Sequence, residues 1–470
     1  MRKSFERARW PWVVAGLTVC SLYALSLLDF DPGDTRSTGR VEDIEKLAAR
    51  DDVNVLFVLI DTLRAHRLGS YGYERNTSPS LDYLASTGVR FAKHISQSSW
   101  TKCSMASLWT GLLPARTAVT RYDHALPEDA VMPAEILRDA GFKTAGVWRN
   151  GWVAPNFGFG QGFSLYEKPS VARVERAVKR ANPNAALAGT DNDIVDSAIE
   201  FVRVQGDDRW FLYVHLMDLH QYIYSPDTAL FGNGYADLYD NSIRFEDGIL
   251  ARLVSHLSDT GKLEKTLVVI ASDHGEAFGE RGHEGHARFV YRETTDVPLV
   301  IAFPFVLEPG VVVESMTRNI DIWPTLLDLL GLPVLPDADG RSALPEILAS
   351  ARGEEAPDDR VSYSHLDRHW GRPGTEALPV VSVAEGGLRY FHRFEEEGSV
   401  KAELYDMRED PLERTDLLED RPEDVDALRA KALEYLGASR PPPWGSTPSV
   451  DIDEMQLNQL RALGYSLPGR

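Results

Sequence analysis

The stretch "VNVLFVLID", residues Val53–Asp61, is an unbroken apolar run of strand length that closes on an aspartate. A strand with one wet face alternates apolar and polar residues, whereas a strand covered on both faces does not. The run therefore predicts a buried strand in a sheet with helices on either side. Four further runs read alike: "FKTAGVW" (Phe142–Trp148), "WFLYVHLMD" (Trp210–Asp218), "TLVVIASD" (Thr266–Asp273) and "VPLVIAF" (Val297–Phe303). Between them lie "SPSLDYLASTG", "AEILRDAG" and "SIRFEDGILARLVSHLSDTG", whose closing glycines are placed as helix C-caps. The pattern predicts an α/β fold with a mostly parallel central sheet flanked by helices. Asp61, Asp218 and Asp273 each close a strand, and ligands of such sheets bind at the carboxyl ends. One such aspartate alone would read equally well as a turn former.

Outward from this core, the chain has 470 residues, 43% of them hydrophobic, and a formal charge of −21. That balance excludes sequence-independent binding to nucleic acid or to an anionic lipid surface. An anionic substrate would need a local positive centre, such as a metal ion. The two cysteines, Cys20 and Cys103, predict no structural disulfide. Arg2, Lys3, Arg7 and Arg9 precede "WPWVVAGLTVCSLYALSLL" (Trp10–Leu28), an uncharged run long enough to span a bilayer as a helix. The basic flank orients it with the N-terminus inside, and the missing small-x-small site predicts an uncleaved anchor. The expected organisation is a cytoplasmic stub (1–9), a transmembrane anchor (10–28), a linker (29–50) and a main α/β domain (51–335). A smaller C-terminal α+β subdomain (336–440) and a Pro-rich linker with a helical tail (441–470) complete it. The main body is expected on the extracytoplasmic, periplasmic side of the inner membrane, held by a single pass.

The stretch "SSWTKCSMASLWTGLLP" (Ser98–Pro114) sets Thr101, Cys103 and Ser104 at the mouth of a helix-like run. Each carries a hydroxyl or thiol where unpaired backbone N–H groups favour an anion. Equally, Thr101 or Ser104 could simply cap the helix. Asp61, Asp273 and His274 join Thr101 as a mixed oxygen and nitrogen set suited to one divalent ion: Mn²⁺, Mg²⁺, Ca²⁺ or Zn²⁺. Such an ion would lower the Thr101 hydroxyl pKa and hold an anionic ester for in-line attack. His283 and His286 in "GHEGH" are three apart, a spacing that lets both face one way on a helical turn. Each could instead be a surface or supporting residue.

Taken together, these segments resemble the sulfatase-like branch of the alkaline phosphatase superfamily. "NVLFVLIDTLRAHRLGSYGY" resembles the family's first strand and metal-ligand turn, and "SSWTKCSMASLWTGLLP" its nucleophile helix. "FLYVHLMDLHQYIY" is similar to its F-x-x-x-H-x-x-D-P-H-x-P-Y segment, and "SDHGEAFGERGHEGHARFVYRETTDVPLVI" to its second metal-ligand loop and following strand. "DIWPTLLDLLGLP", "AELYDMREDPLERTDL" and "LRALGYS" match C-terminal signatures. The resemblance makes 51–335 the sulfatase-like catalytic domain. It also puts Thr101 where sulfatases carry the cysteine that becomes formylglycine. Cys103 does not restore that motif, because Met105 is neither Pro nor Ala and Ser107 is not Arg, so no formylglycine is expected.

Threonine at this place is what phosphorus-transferring relatives use. The resemblance thus implies a membrane-anchored hydrolase or transferase of phosphate or phosphonate esters, working through a covalent Thr101 ester. It implies catalytic roles for His220 and His286 and substrate contacts for Arg149 and His283. Thr62, where sulfatases carry a second aspartate, implies a single metal held by Asp61, Thr101, Asp273 and His274. Asp218 has His220 two residues on and Tyr222 four on, against the two-metal pattern. The expected partners are an anionic ester on an envelope lipid or glycan, and the membrane, with no nucleic acid. A sulfuric ester hydrolase that uses Thr101 is the alternative, and a non-catalytic membrane-tethered binding protein the second.

Overall fold

The computed structural model describes residues 34–169, 171, 174–183, 189–437, 441–452, 457 and 460. The expected anchor (10–28) lies outside these residues, as does the expected tail helix (453–466) apart from Leu457 and Leu460. Among the described residues, no helix is long and apolar enough to cross a membrane.

Ten of the fourteen strands among the described residues are named here in chain order, up to the end of the main sheet: β1 (Asn54–Ile60), β2 (Val89–Ile95), β3 (Lys143–Trp148), β4 (Leu165–Glu167), β5 (Trp210–Leu216), β6 (Thr266–Ala271), β7 (Ala277–Phe278), β8 (Glu284–Gly285), β9 (Leu299–Ala302) and β10 (Val311–Arg318). Eight of them form one sheet in the order β10-β2-β9-β6-β1-β5-β3-β4, while β7 and β8 pair as a small hairpin. Strand β9 runs antiparallel to both its neighbours, and every other pair in the large sheet is parallel.

Every residue of β1 is buried, which is why its sequence does not alternate. Val55, Phe57 and Leu59 join one apolar core, and Leu56, Val58 and Ile60 join the other, on the opposite face. The period-2 geometry of a strand sends successive side chains to opposite faces, so both need apolar residues. Helices α1 (Pro79–Ser86), α2 (Thr101–Thr110), α3 (Asp191–Gln205), α4 (Tyr235–Asp259) and α5 (Ile322–Leu329) belong to the layers that cover this sheet. Helix α2 is buried along its entire length. It is anchored by Trp109, whose ring stacks on Trp323 at 5.3 Å and meets Tyr213 edge-on at 5.0 Å.

Helix α6 (Leu344–Arg352) leads to a second sheet, in which β11 (Ser362–Asp367), β12 (Pro379–Glu385), β13 (Leu388–Phe394) and β14 (Val400–Asp406) are antiparallel neighbours in that order. Helix α7 (Pro422–Leu436) covers one face, setting Val425, Leu428 and Ala432 against Val381, Val383, Tyr390 and Leu404.

Candidate active site

Strands β1 and β6 lie side by side and parallel, so Asp61 and Asp273 emerge together just past their carboxyl ends. Position 62 turns the chain sharply: Thr62 has φ +64°, a left-handed conformation that is an outlier for a β-branched residue. The turn aims the Thr62 N–H at Asp273 Oδ1 (3.3 Å), and the hydroxyl donates back to the Asp61 carbonyl (2.6 Å). Thr62 thus contributes a backbone donor where a second aspartate would have supplied a ligand.

Thr101 opens α2 as its first residue, after Trp100, and makes no capping bond. Its hydroxyl lies 3.2 Å from His274 Nε2 and 3.4 Å from Asn150 Nδ2. The capping role considered from sequence is therefore not the one Thr101 plays. Ser104 does not cap either: its hydroxyl reaches the Asp273 carbonyl (2.6 Å) and tethers α2 to the end of β6. Cys103 is buried, with its sulfur 4.0 Å from the His365 carbonyl, and burial pushes its thiol up to about 12. A thiol held protonated is no nucleophile.

Asp61, Asp273 and His274 are fully buried, and one ligand atom from each lies within 4.8 Å of the others. His274 Nδ1 donates to the Gly275 carbonyl (3.0 Å), which leaves the Nε2 lone pair facing the cluster. Asp61 Oδ1 and Asp273 Oδ2 are buried with no hydrogen-bond partner among the described residues. Two such carboxylate oxygens beside a neutral imidazole are the donor set a divalent cation requires, so the residues present fit the metal.

The two carboxyls are driven apart. Burial alone would raise Asp61, but the His215 hydrogen bond and the fields of His220, His215 and His274 outweigh it and hold it well below the carboxylate range. Asp273 is pushed up to about 7 by burial and by the charge of Asp61, against the pull of His274. A cation between them would relieve that repulsion.

Three supporting residues carried no role from sequence. Asn150 donates to Asp61 Oδ2 at 2.6 Å, and His215 Nε2 meets the same oxygen at 3.0 Å while its Nδ1 pairs with the Tyr213 hydroxyl at 2.7 Å. Glu276 Oε2 lies 3.1 Å from His286 Nδ1. His215 was legible in principle: it stands one strand period from Tyr213 on an otherwise apolar strand, and a polar side chain there needs a buried partner.

The other expected site residues divide. His220 and His286 meet ring to ring at 4.9 Å, and His286 lies 4.5 Å from the His274 ring. Both are brought to the cluster. Burial holds His286 neutral, down to about 4, and lowers His220 as well. Burial also pushes Glu276 up to about 7, against the fields of His220 and His274.

His283 does not share a helical turn with His286, because the intervening residues Glu284 and Gly285 form β8 and Gly285 takes φ +84°. His283 is left exposed on the hairpin against Phe289, apart from the cluster that His286 joins. Arg149 is engaged elsewhere: its guanidinium donates to Asp191 (2.7 Å), Asp218 (2.6 Å) and the Gly189 carbonyl (2.9 Å). Those partners take up its Nη donors, while Nε is buried without a hydrogen-bond partner among the described residues. The cluster of Asp191, Asp218 and Glu246 is a second buried acidic group, and it already holds the Arg149 cation.

With this geometry in place, likeness to known proteins is informative. The family described as Sulfatase matches residues 53–332, and the family described as N-sulphoglucosamine sulphohydrolase, C-terminal, matches residues 279–436. Arylsulfatase K of Xenopus laevis is 28% identical over 187 residues, covering 39% of this chain and only 34% of that protein. The ulvan-active sulfatase of Formosa agariphila is 26% identical over 441 residues, covering 85% of this chain and 84% of that one. The structure of the phosphonate monoester hydrolase of Agrobacterium radiobacter superposes with a TM-score of 0.63 at 20% identity, covering 82% of this chain and 95% of that one.

Proposed function

Because the chain belongs to the sulfatase family, we propose that it is a metal-dependent hydrolase or transferase of phosphate or phosphonate esters, with Thr101 as the covalent nucleophile. The observation that carries this is the Thr101 hydroxyl at 3.2 Å from His274 and 3.4 Å from Asn150, beside two partnerless carboxylate oxygens and making no cap. Asp61, Asp273 and His274, with Thr101 itself, would hold a single divalent ion. Bound there, the ion lowers the hydroxyl pKa and offsets the charge of the ester.

The chain's own residues supply the rest. Thr101 Oγ1 releases its proton to solvent water, attacks phosphorus and forms a new O–P bond, and the bond from phosphorus to the leaving oxygen breaks. The leaving oxygen takes a proton from the His220–His286–Glu276 group, whose Glu276 is pushed up to about 7 and so retains a proton near neutrality. Water, or an acceptor alcohol, then releases the Thr101 ester. The run from Trp10 to Leu28 would tether the enzyme to the inner membrane on its periplasmic side, near envelope lipids and glycans.

A sulfuric ester substrate is the second reading, supported by the names of the sulfatase relatives. One experiment separates the two. The purified chain is incubated with an aryl phosphodiester, an aryl phosphonate or an aryl sulfate, then read by intact mass and bound-metal content. A phosphorus-derived adduct that disappears in Thr101→Ala and persists in Cys103→Ala is expected, with one divalent ion per chain. Turnover of the sulfate alone, or a formyl mass change at Cys103, would overturn the proposal.

A further inference from the structure

Two residues that reach Thr101 and its surroundings stand on a second buried group that the proposed chemistry does not use. Asp218 flanks the short turn Leu219–Gln221 that carries His220, and its carbonyl accepts from the Gln221 N–H (3.1 Å) and the Ile223 N–H (2.9 Å). Arg149 directly precedes Asn150, which holds Asp61 and reaches Thr101. Asp191, the first residue of α3, and Glu246, from the middle of α4, complete the group. One carboxylate oxygen each from Asp191, Asp218 and Glu246 lies within 4.8 Å of the others, and none of the three residues is more than 1% exposed.

Every oxygen of the two aspartates is engaged. Asp191 Oδ1 and Asp218 Oδ1 both accept from Arg149 Nη1, at 2.7 and 2.6 Å. Asp191 Oδ2 accepts from the Met217 and Asp218 N–H groups, and Asp218 Oδ2 from the Asp191 N–H at 2.8 Å. Glu246 differs: both of its oxygens are buried with no hydrogen-bond partner among the described residues. If all three acids were ionised, three negative charges would face the one guanidinium out of water, at a large desolvation cost. A divalent ion suits this group poorly, unlike the Asp61 cluster, because only Glu246 has uncommitted oxygens and Arg149 already brings a positive charge to both aspartates. A proton needs only one pair of oxygens. The charged groups that act on Glu246 come from three other elements: Arg149 after β3, Asp191 on α3 and Asp218 after β5. Burial and the two aspartates push Glu246 well above the usual carboxylate range, against the pull of Arg149.

We propose that Glu246 is a positioning residue: it stays a neutral carboxylic acid, donates its proton to Asp191, and so fixes the Arg149 and Asp218 anchors from which Asn150 and His220 are presented. The positioning half rests on the ester chemistry given above, whereas the proton does not. A carboxylic acid kept neutral by its surroundings serves as a hydrogen-bond donor. With Glu246 neutral, Asp191 keeps the guanidinium and both backbone donors, and the start of α3 adds positive potential beside it. With Glu246 charged, repulsion would press on Asp191 and Asp218 and disturb the turn that bears His220 together with the Arg149–Asn150 pair. An acid that never touches the ester thereby acts on both ends of the reaction, on the nucleophile through Asn150 and on the leaving oxygen through His220.

The test compares the native chain with Glu246→Gln, whose amide can donate to Asp191 as the acid does, and with Glu246→Leu, which cannot. The infrared difference between the native and Glu246→Gln chains is recorded at about pH 9, above the titration of Asp218 and Asp273, both pushed up to about 7. The carbonyl stretch of a protonated carboxylic acid is expected in the native chain alone. Its absence, or a second divalent ion per chain that Glu246→Gln loses, would overturn the proposal. Kinetics are read on whichever aryl ester, of phosphorus or of sulfur, the native chain turns over. Glu246→Gln is expected to keep most of the native kcat, and Glu246→Leu to lose roughly tenfold or more in kcat with KM little changed. Urea midpoints confirm that both variants are folded. A folded Glu246→Gln that loses kcat, or a Glu246→Leu that keeps it, would overturn the positioning role. A native chain that turns over no aryl ester would defeat the ester chemistry and the positioning role with it, and the infrared band then decides the proton alone.

Discussion

Asn150 is the residue through which Thr101, the proposed nucleophile, and the buried Asp61–Asp273–His274 cluster share one support. Its amide nitrogen donates to Asp61 Oδ2 at 2.6 Å and lies 3.4 Å from Thr101 Oγ1, while its amide oxygen accepts from the Trp152 N–H at 2.9 Å. That last bond fixes which way the amide points, so both nitrogen contacts follow from one backbone turn after β3. Groups that orient metal ligands matter nearly as much as the ligands: Asn150→Ala should lower kcat/KM by about 10–100-fold and weaken metal retention similarly. Steady-state rates and metal content after dialysis check this together. Equal rates in the two proteins would show that Asn150 is only structural. The sequence made Asp61, Thr101, Asp273 and His274 legible because strand-end acids and a helix-start hydroxyl carry local signals. Asn150 and Glu276 gave none, since their importance comes from what lies across the sheet, and His215 gave only the oddity of a polar side chain on an apolar strand. His283 misled for a related reason: a three-residue spacing implies a shared face only on a helix, and the glycine at 285 turns that stretch into a hairpin.

Helix α2 carries Thr101 at one end and Trp109 near the other, and the element works because its length is packed. Trp109 lies between Trp323, stacked at 5.3 Å, and Tyr213, edge-on at 5.0 Å, with Phe57 at 5.8 Å. Removing that ring should open a large cavity and cost about 3–5 kcal/mol. In urea melts, Trp109→Ala should therefore shift the midpoint strongly, and Thr101 should lose adduct formation along with the helix's fixed pose. A midpoint within error of the native value would refute the anchoring role. The same packing explains which strands were legible. Five strands of the large sheet, β1, β3, β5, β6 and β9, read directly from sequence because they are buried on both faces. Strands β2, "VRFAKHI", and β10, "VVVESMTR", were not, since each carries exposed or half-exposed polar positions and pairs at the sheet's edge. The antiparallel course of β9 was not legible either, because an apolar run has no direction until its partners are known.

Across the whole molecule, buried histidines and buried carboxyls contribute to the response to acid with opposite signs. His94 sits under the sheet edge with Nε2 donating to Asn319 Oδ1 and Nδ1 accepting from the Thr317 hydroxyl, both at 2.8 Å. Asn319 in turn donates to the Ser272 carbonyl at 3.0 Å and reaches the Asp273 carbonyl at 3.4 Å, so His94 is tied to the strand end that bears the site. Burial lowers His94 to about 4 from its ordinary 6.5, against the hydrogen bond to Asn319. Because the folded chain resists a proton that the unfolded chain accepts, this contribution is present above pH 6.5 and is lost as pH falls towards about 4. A displacement of that size corresponds to at most about 3 kcal/mol. Asp218 and Asp273 act with the opposite sign: both are pushed up to about 7, so the folded chain takes their protons first and acid favours it. The net slope of the native protein therefore mixes the two, and a comparison isolates His94. His94→Gln should be less stable at pH 7, where the Thr317 bond is altered, yet lose less further stability between pH 6.5 and 4 than the native chain. Parallel pH profiles of the urea midpoint in the two proteins would show that His94 does not carry the acid response.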